Sequence, residues 1–159
     1  MKLTHRAVAE KDIPAISSWA KNQEELYYFF PRAIYPLTPE QLSEAIAQRN
    51  NSTVVELEGQ PVAFANFYKW EKGGTCSIGN VIVSPEARNQ GVARFLMEQM
   101  CSIAFHEHKA SEVTVSCFNS NTAGLLLYPK LGFHPFATEE RQDKAGNRVA
   151  LIHMRLSGQ

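Results

Sequence analysis

The chain has 159 residues, 44% of them hydrophobic and 20% charged, with 16 Lys+Arg against 16 Asp+Glu. This is the composition of an ordinary globular protein, and the length suits one domain. A balanced charge argues against nucleic acid or an anionic membrane as the main partner, because either usually needs a basic surplus. No run of apolar residues is long enough to span a bilayer, and the start, Met1 to Arg6, lacks the apolar stretch of a signal peptide, so a cytoplasmic location is expected.

In chain order, residues 3–7 read as a short first strand. Asp12 is expected to cap a helix with Ile13, Ile16 and Trp19 on one face. Residues 24–35 read as irregular and very aromatic, with Tyr27, Tyr28, Phe29, Phe30 and Tyr35. Thr38-Pro39-Glu40-Gln41 opens a second helix: Thr38 suits the N-cap, Pro39 the first helical position, and Gln41 can close a capping box. Leu42, Ala45 and Ile46 form its apolar stripe. Residues 52–57 and 61–70 then read as strands around the hairpin signal Glu58-Gly59-Gln60, and residues 76–83 as a third strand after Gly73-Gly74. Ser84-Pro85 ends that meander, since Pro cannot donate to a ladder.

A long helix over residues 91–107 presents Val92, Leu96, Met100, Ile103 and Ala104 to the core. Residues 113–118 read as a buried strand and 121–128 as a short helix. Two late strands, 133–138 and 149–156, enclose a turn at 143–147. The order β-α-α-β-β-β-α-β-α-β-β predicts a mixed α/β fold with a β-α-β unit at its centre and no dividing linker. The three cysteines, Cys76, Cys101 and Cys117, have no CxxC or Cys/His ligand spacing, so they read as reduced, buried thiols and no metal is expected. His106 and His108 do not share a helix face and are expected at the surface.

Two segments carry chemistry. In the first, Val81-Ile82-Val83-Ser84-Pro85-Glu86-Ala87-Arg88-Asn89-Gln90-Gly91-Val92-Ala93-Arg94, a strand ends, a polar loop turns and a helix begins. The unpaired N–H groups and positive dipole end of a helix start attract phosphate. Gly91 lacks a Cβ and lets a pyrophosphate approach, Ala93 is small, and Arg88 and Arg94 can add charge-assisted contacts. The sequence contains no GxxxxGK[ST] and no GxGxxG after a strand, which argues against a P-loop or a dinucleotide-binding unit.

The second segment runs from Asn119 to Phe133. Asn121 sits where a buried strand hands over to a helix, and its amide can cap that helix or hold an amide-like ligand arm. Tyr128 lies about two helical turns later and can face the same cleft. It reads either as a core tyrosine or as a proton donor to a departing anion.

Together the segments resemble the GNAT family of acetyl-CoA-dependent N-acetyltransferases. The first is similar to its signature Arg/Gln-x-x-Gly-x-Gly/Ala, met by Arg88, Gly91 and Ala93. The second is similar to Asn-x-x-Ala/Gly-x-x-x-Tyr-x-x-x-Gly-Phe, met by Asn121, Gly124, Tyr128, Gly132 and Phe133. The resemblance implies a GNAT fold, a central splayed mixed sheet flanked by helices. It implies that the backbone of Val81, Ile82 and Val83 pairs with the pantetheine arm of acetyl-CoA and that a backbone N–H there stabilises the oxyanion. The amides of Asn89, Gln90, Gly91, Val92, Ala93 and Arg94 would take the pyrophosphate, and Asn121 would contact the arm or the region near the thioester. It also implies that Tyr128 protonates the coenzyme A thiolate after direct attack by an amine, so Cys117 reads as a packed thiol rather than a nucleophile.

Two departures from the family's pattern stand out. Pro129 directly follows Tyr128 and predicts a helix that ends or kinks there. Some members carry a glutamate base on the strand before the Asn, where this chain has Ser116, so the base is unassigned: Glu24, Glu25, Glu71 or a water chain could serve, and a minor fraction of already deprotonated amine could also suffice. The resemblance puts the acceptor pocket between the first helices and the central strands, on Tyr27, Tyr28, Phe29, Asn80 and their neighbours Asn66 and Tyr68. Those aromatic rings can attract an ammonium or simply pack helices onto the sheet. The expected activity is acetyl transfer to a small-molecule or peptide amine, with homodimerisation possible. The alternative is a coenzyme A sensor with little turnover.

Overall fold

The computed structural model describes residues 2–158. In chain order these form β1 (Leu3–Ala7), α1 (Ile13–Ser17), α2 (Gln23–Phe29), α3 (Pro39–Ala47), β2 (Asn50–Leu57), β3 (Gln60–Trp70), β4 (Thr75–Val83), α4 (Val92–His106), β5 (Glu112–Phe118), α5 (Thr122–Lys130), β6 (His134–Gln142) and β7 (Arg148–Ser157). The strands make one mixed sheet in the order β1-β2-β3-β4-β5-β7-β6. Hairpins and short returns give antiparallel neighbours. Only β4 and β5 run parallel, since the crossover through α4 brings the chain back in the same direction.

That parallel pair determines the shape of the site. Its register runs only from Thr75↔Glu112 to Ile78↔Val115. Beyond it β4 continues on β3 as far as Val83, while β5 continues on β7 as far as Phe118, and the two central strands part. A bulge in β4 accompanies the parting: Phe64 faces Ile82 and Asn66 faces Gly79, so β4 carries one more residue than β3 there, with Asn80 at φ 51°. A bulge adds twist and bends its strand away from the flat ladder.

Each face of the sheet is covered differently. On one side α4 buries Leu96, Met97, Met100 and Ala104 against Phe67, Val113, Val115 and Met154. On the other, α1, α2 and α3 bury Ile16, Leu26, Phe29 and Leu42 against Val54, Phe64 and Ile82. Each such aliphatic or aromatic side chain contributes about 1.5–3 kcal/mol when fully buried. Strand alternation divides β5 between the faces: Val113, Val115 and Cys117 join the α4 side, whereas Phe118 packs with Tyr27 and Leu151 on the other.

Several local expectations are corrected. The aromatic stretch is not irregular throughout, because Asn22 caps α2 by accepting a hydrogen bond from the Glu25 N–H at 2.8 Å. Glu24 and Glu25 then sit at the favourable end of the dipole. Aromatic residues have little helix preference, so burial of Leu26, Tyr27 and Phe29 is what holds the segment. Asp12 does not cap α1. It is buried, accepts from Arg6 at 2.7 and 2.9 Å, and reaches back to the Ala9 N–H at 2.7 Å. Thr38 does cap α3 through the Gln41 N–H, with Pro39 in its first turn. The Gln41 side chain closes no box; it clamps Ile34, donating to its carbonyl at 3.1 Å and accepting from its N–H at 2.9 Å.

Pro129 neither ends nor stops α5, which runs through it to Lys130. The proline lies in the last turn, and the chain closes behind it with Leu131 N–H donating to the Leu127 and Tyr128 carbonyls. Cys76 and Cys117 are buried, but Cys101 is only half-buried. His108 is half-buried as well, hydrogen-bonded to Asn51 at 2.6 Å with its ring edge-on to Phe67.

Candidate active site

The parting of β4 and β5 opens a cleft of about 720 Å³. Val81, Ile82 and Val83 form one wall. Past Ile78 their β5-facing edge has no strand partner, so backbone groups are available to a ligand. The start of α4 forms the floor, α5 the second wall, and Glu24, Glu25, Tyr28 and Phe29 of α2 close over the top.

The start of α4 is built to stay open. Gly91 is the N-cap residue at φ 79°, ψ 7°, and no side chain caps the helix. The first helical hydrogen bond runs from the Phe95 N–H to the Gly91 carbonyl. The amides of Val92, Ala93 and Arg94 therefore have no partner within the helix. A left-handed conformation costs a residue with a Cβ about 1–2 kcal/mol, which accounts for glycine here. A Cβ at Gly91 would meet no atom within 4 Å beyond its chain neighbours, and Gly91, Val92, Ala93 and Arg94 all line the cleft. This cradle fits a phosphate in both charge and room.

The flanking side chains divide. Asn89, at φ 63°, and Arg94 line the cleft, with Arg94 half exposed near Glu98 at 3.7 Å. Gln90 turns away, donating to the Glu86 carbonyl at 3.2 Å, and does not line it. Arg88 lies at the cleft but is engaged: it pairs with both Glu25 oxygens at 3.0 and 3.3 Å and donates to the Val83 carbonyl at 3.3 Å. It braces α2 against the loop rather than standing free for phosphate. Arg88 in turn holds the Glu25 carboxyl below its ordinary range, so Glu25, one of the candidate bases, is ionised and ion-paired.

On α5, Asn121 is the N-cap. Its Oδ1 accepts from the Gly124 N–H at 3.2 Å, which leaves Nδ2 as a donor toward the cleft. Tyr128 lines the same wall with its ring edge-on to Phe133. No protein group among the described residues hydrogen-bonds its hydroxyl, which stays accessible. Burial pushes its phenol well above the ordinary value, so it is protonated at neutral pH and can donate. Burial also pushes the Cys117 thiol up to about 11, which suits packing and not nucleophilic attack.

The residues expected for the acceptor are only partly gathered. Tyr28 and Phe29 line the cleft, and the Tyr28 hydroxyl shares a 2.6 Å hydrogen bond with Ser120. Tyr27 does not line it: its ring stacks on Phe118 at 4.5 Å and its hydroxyl donates to the Gln142 carbonyl. Asn80 is also withdrawn. It is buried at the bulge, donating to the Phe29 carbonyl at 3.0 Å and accepting from Asn66 at 3.1 Å. Leu126, Leu127 and Lys130 were missed as lining residues, although they share the helix of Asn121 and Tyr128. Ser116 on β5 hydrogen-bonds His153 on β7 at 2.6 Å, a contact fixed by strand register between residues far apart in sequence.

Comparison with known proteins agrees with this architecture. The model of the acetyltransferase (GNAT) family matches residues 14–133. The solved spermidine N-acetyltransferase from Vibrio cholerae, in complex with CoA and spermine, superposes with a TM-score of 0.82 at 18% identity, covering 98% of this chain and 95% of that one. Ribosomal-protein-alanine N-acetyltransferase from Brucella melitensis gives 0.78 at 22% identity over 98% and 99% of the two chains. A Salmonella typhimurium protein solved with its cofactor acetyl-CoA gives 0.76 at 20% identity over 98% and 93%. At these identities the structures establish a shared fold, and the family match covers most of the sequence. This chain belongs to the GNAT acetyltransferase family.

Proposed function

We propose that this protein is an N-acetyltransferase, one catalytic domain that moves an acetyl group from acetyl-CoA to a primary amine on a small molecule or peptide in the cytoplasm. The carrying observation is the uncapped start of α4 beneath a forked sheet, with a protonated, accessible tyrosine on the facing wall. Acetyl-CoA supplies an activated acetyl thioester. The Val92, Ala93 and Arg94 amides hold its pyrophosphate, and Asn89 and Arg94 supply side-chain contacts. The free edge of Val81 to Val83 aligns the pantetheine arm in strand fashion and offers an N–H to the oxyanion. Asn121 donates through Nδ2 to an amide carbonyl of the arm. Tyr128 gives its proton to the leaving sulfur. Tyr28 and Phe29 border the acceptor's entry.

The test is thermal stability with and without acetyl-CoA, followed by a screen of amines for thiol release. A ligand that binds only the folded state raises the melting temperature with concentration. A rise together with amine-dependent thiol release supports the enzyme. A rise without release from any amine leaves a coenzyme A sensor. No rise at saturating acetyl-CoA overturns both.

A further inference from the structure

The fork has a closed end, and what lies there is not accounted for by cofactor binding. The last rung of the parallel pair is Ile78↔Val115, so Ser116 is the first residue of β5 beyond it. Its side chain lies on the face shared with Thr114 and Phe118, opposite Val113, Val115 and Cys117, which pack toward α4. The Ser116 face is the one covered by α2, through Tyr27 on Phe118. The phosphate cradle belongs to the α4 side. Ser116 thus stands at the crotch of the fork on the side away from the cradle.

Register places His153 of β7 directly opposite Ser116. Ser116 Oγ lies 2.6 Å from His153 Nδ1, and His153 Nε2 lies 2.7 Å from Glu139 Oε1 on β6. Arg141, bonded to both Glu139 oxygens at 3.2 and 3.4 Å, and His153 hold the Glu139 carboxyl below its ordinary range. An ionised carboxylate only accepts, so His153 carries its proton on Nε2. Nδ1 then presents a lone pair to the Ser116 hydroxyl. Three residues on three adjacent strands form a directed chain that draws a proton away from the fork. Arg155 of β7 lies over Phe136, whose ring also neighbours His153.

We propose that Ser116, His153 and Glu139 are the proton-accepting relay for the acceptor amine, a role that rests on the acetyltransferase reading above. Ser116 Oγ takes a proton from the substrate ammonium while its own passes to His153 Nδ1, and Glu139 holds the imidazolium. The neutral amine forms the N–C bond to the acetyl carbonyl and the C–S bond breaks. The sulfur leaves with the electron pair and takes the Tyr128 proton, and the second amine proton restores the Tyr128 hydroxyl. His153, with 25% of its side chain exposed, returns its proton to water. Ammonium and thioester become amide, thiol and one released proton. Ser116 is the catalytic contact with the amine, and Glu139 is a positioning residue.

The test takes the amine with the highest thiol release from a panel of spermidine, an alanyl peptide, an aminoglycoside and free amino acids. It compares kcat/KM against pH for wild type, His153→Gln, Ser116→Ala and Glu139→Gln, with the acetyl-CoA-induced melting shift confirming fold and cofactor binding in each. General-base catalysis typically contributes about 10²–10⁴-fold, so His153→Gln and Ser116→Ala should lose about a hundredfold or more at neutral pH and recover as pH rises and the free amine accumulates. Glu139→Gln should lower kcat by a smaller factor and leave KM for acetyl-CoA unchanged, the split expected of a residue that only orients His153. Variants within twofold of wild type at every pH, a Glu139→Gln loss that appears in KM for acetyl-CoA and not in kcat, or an acetyl mass increment on Ser116 would overturn the relay and leave the acetyltransferase reading standing. A wild type inactive toward the whole panel would overturn both.

Discussion

Two helices begin at the same cleft and begin in opposite ways. At α5 the Asn121 side chain folds back onto the Gly124 N–H and satisfies the helix end internally. At α4 no side chain caps the helix, and behind the left-handed Gly91 the amides of three cleft-lining residues have no partner within the helix. The α2 and α3 starts resemble α5, capped by Asn22 and Thr38. An N-cap contributes about 0.5–2 kcal/mol, so leaving the start of a 15-residue helix without one forgoes stability. A ligand anion would supply the missing acceptor. One helix end is closed by its own side chain and the other left open, and the tyrosine proposed as proton donor rides on the closed one.

The sharpest way to break this contrast is to close the open end. Gly91→Glu places a carboxylate in front of the free amides and forces a Cβ into φ 79°. It should abolish the acetyl-CoA-induced melting shift and cost the unliganded protein about 1–2 kcal/mol. An undiminished shift in calorimetry would mean that the cofactor does not use this helix end.

Disturbing α5 should leave binding intact and affect turnover. Tyr128→Phe removes the only proton donor proposed for the sulfur and should lower kcat about 10²-fold or more, with an unchanged melting shift. Equal loss of binding and turnover would make Tyr128 a packing residue. Gly124→Ala is a milder version. A Cβ there would lie 3.1 Å from the Tyr128 ring and 3.2 Å from Asn121 Nδ2, so both must shift by a few tenths of an ångström. A fall in kcat smaller than that of Tyr128→Phe, measured in the same thiol-release assay, is expected.

Removing the cap at α5 tests the comparison through stability. Asn121→Ala should lower unfolding free energy by about 1 kcal/mol in denaturant titration. Gly91→Ala should cost a similar amount through backbone strain alone. The smallest effect concerns the brace between α2 and the cradle loop. The Glu25 carboxyl is held below its ordinary value by Arg88, so its contribution is present above the unfolded pKa and lost as pH falls through the lower folded value. Both partners are partly exposed, so Glu25→Gln should cost less than about 1 kcal/mol at neutral pH and flatten part of the stability loss below pH about 4.5.

The sequence alone determined much of this protein. Period-two and helical patterns located all seven strands and the helices α1, α3, α4 and α5, and the two spaced motifs identified the family, because local propensity, caps and turn residues are written in neighbouring positions. The start of α4 was legible for that reason. What only the tertiary structure decided involves partners distant in sequence. Arg88 looked like a phosphate ligand until α2, itself held as a helix by burial, brought Glu25 to it. Tyr27 and Asn80 looked like acceptor residues until stacking on Phe118 and the β4 bulge turned them inward. Ser116 looked like an empty position where a base was sought, and His153 and Glu139 drew no notice, until strand register set all three side by side. A side chain's chemistry depends on what burial and pairing place within hydrogen-bond reach, and those distances are fixed by the packing of the whole sheet.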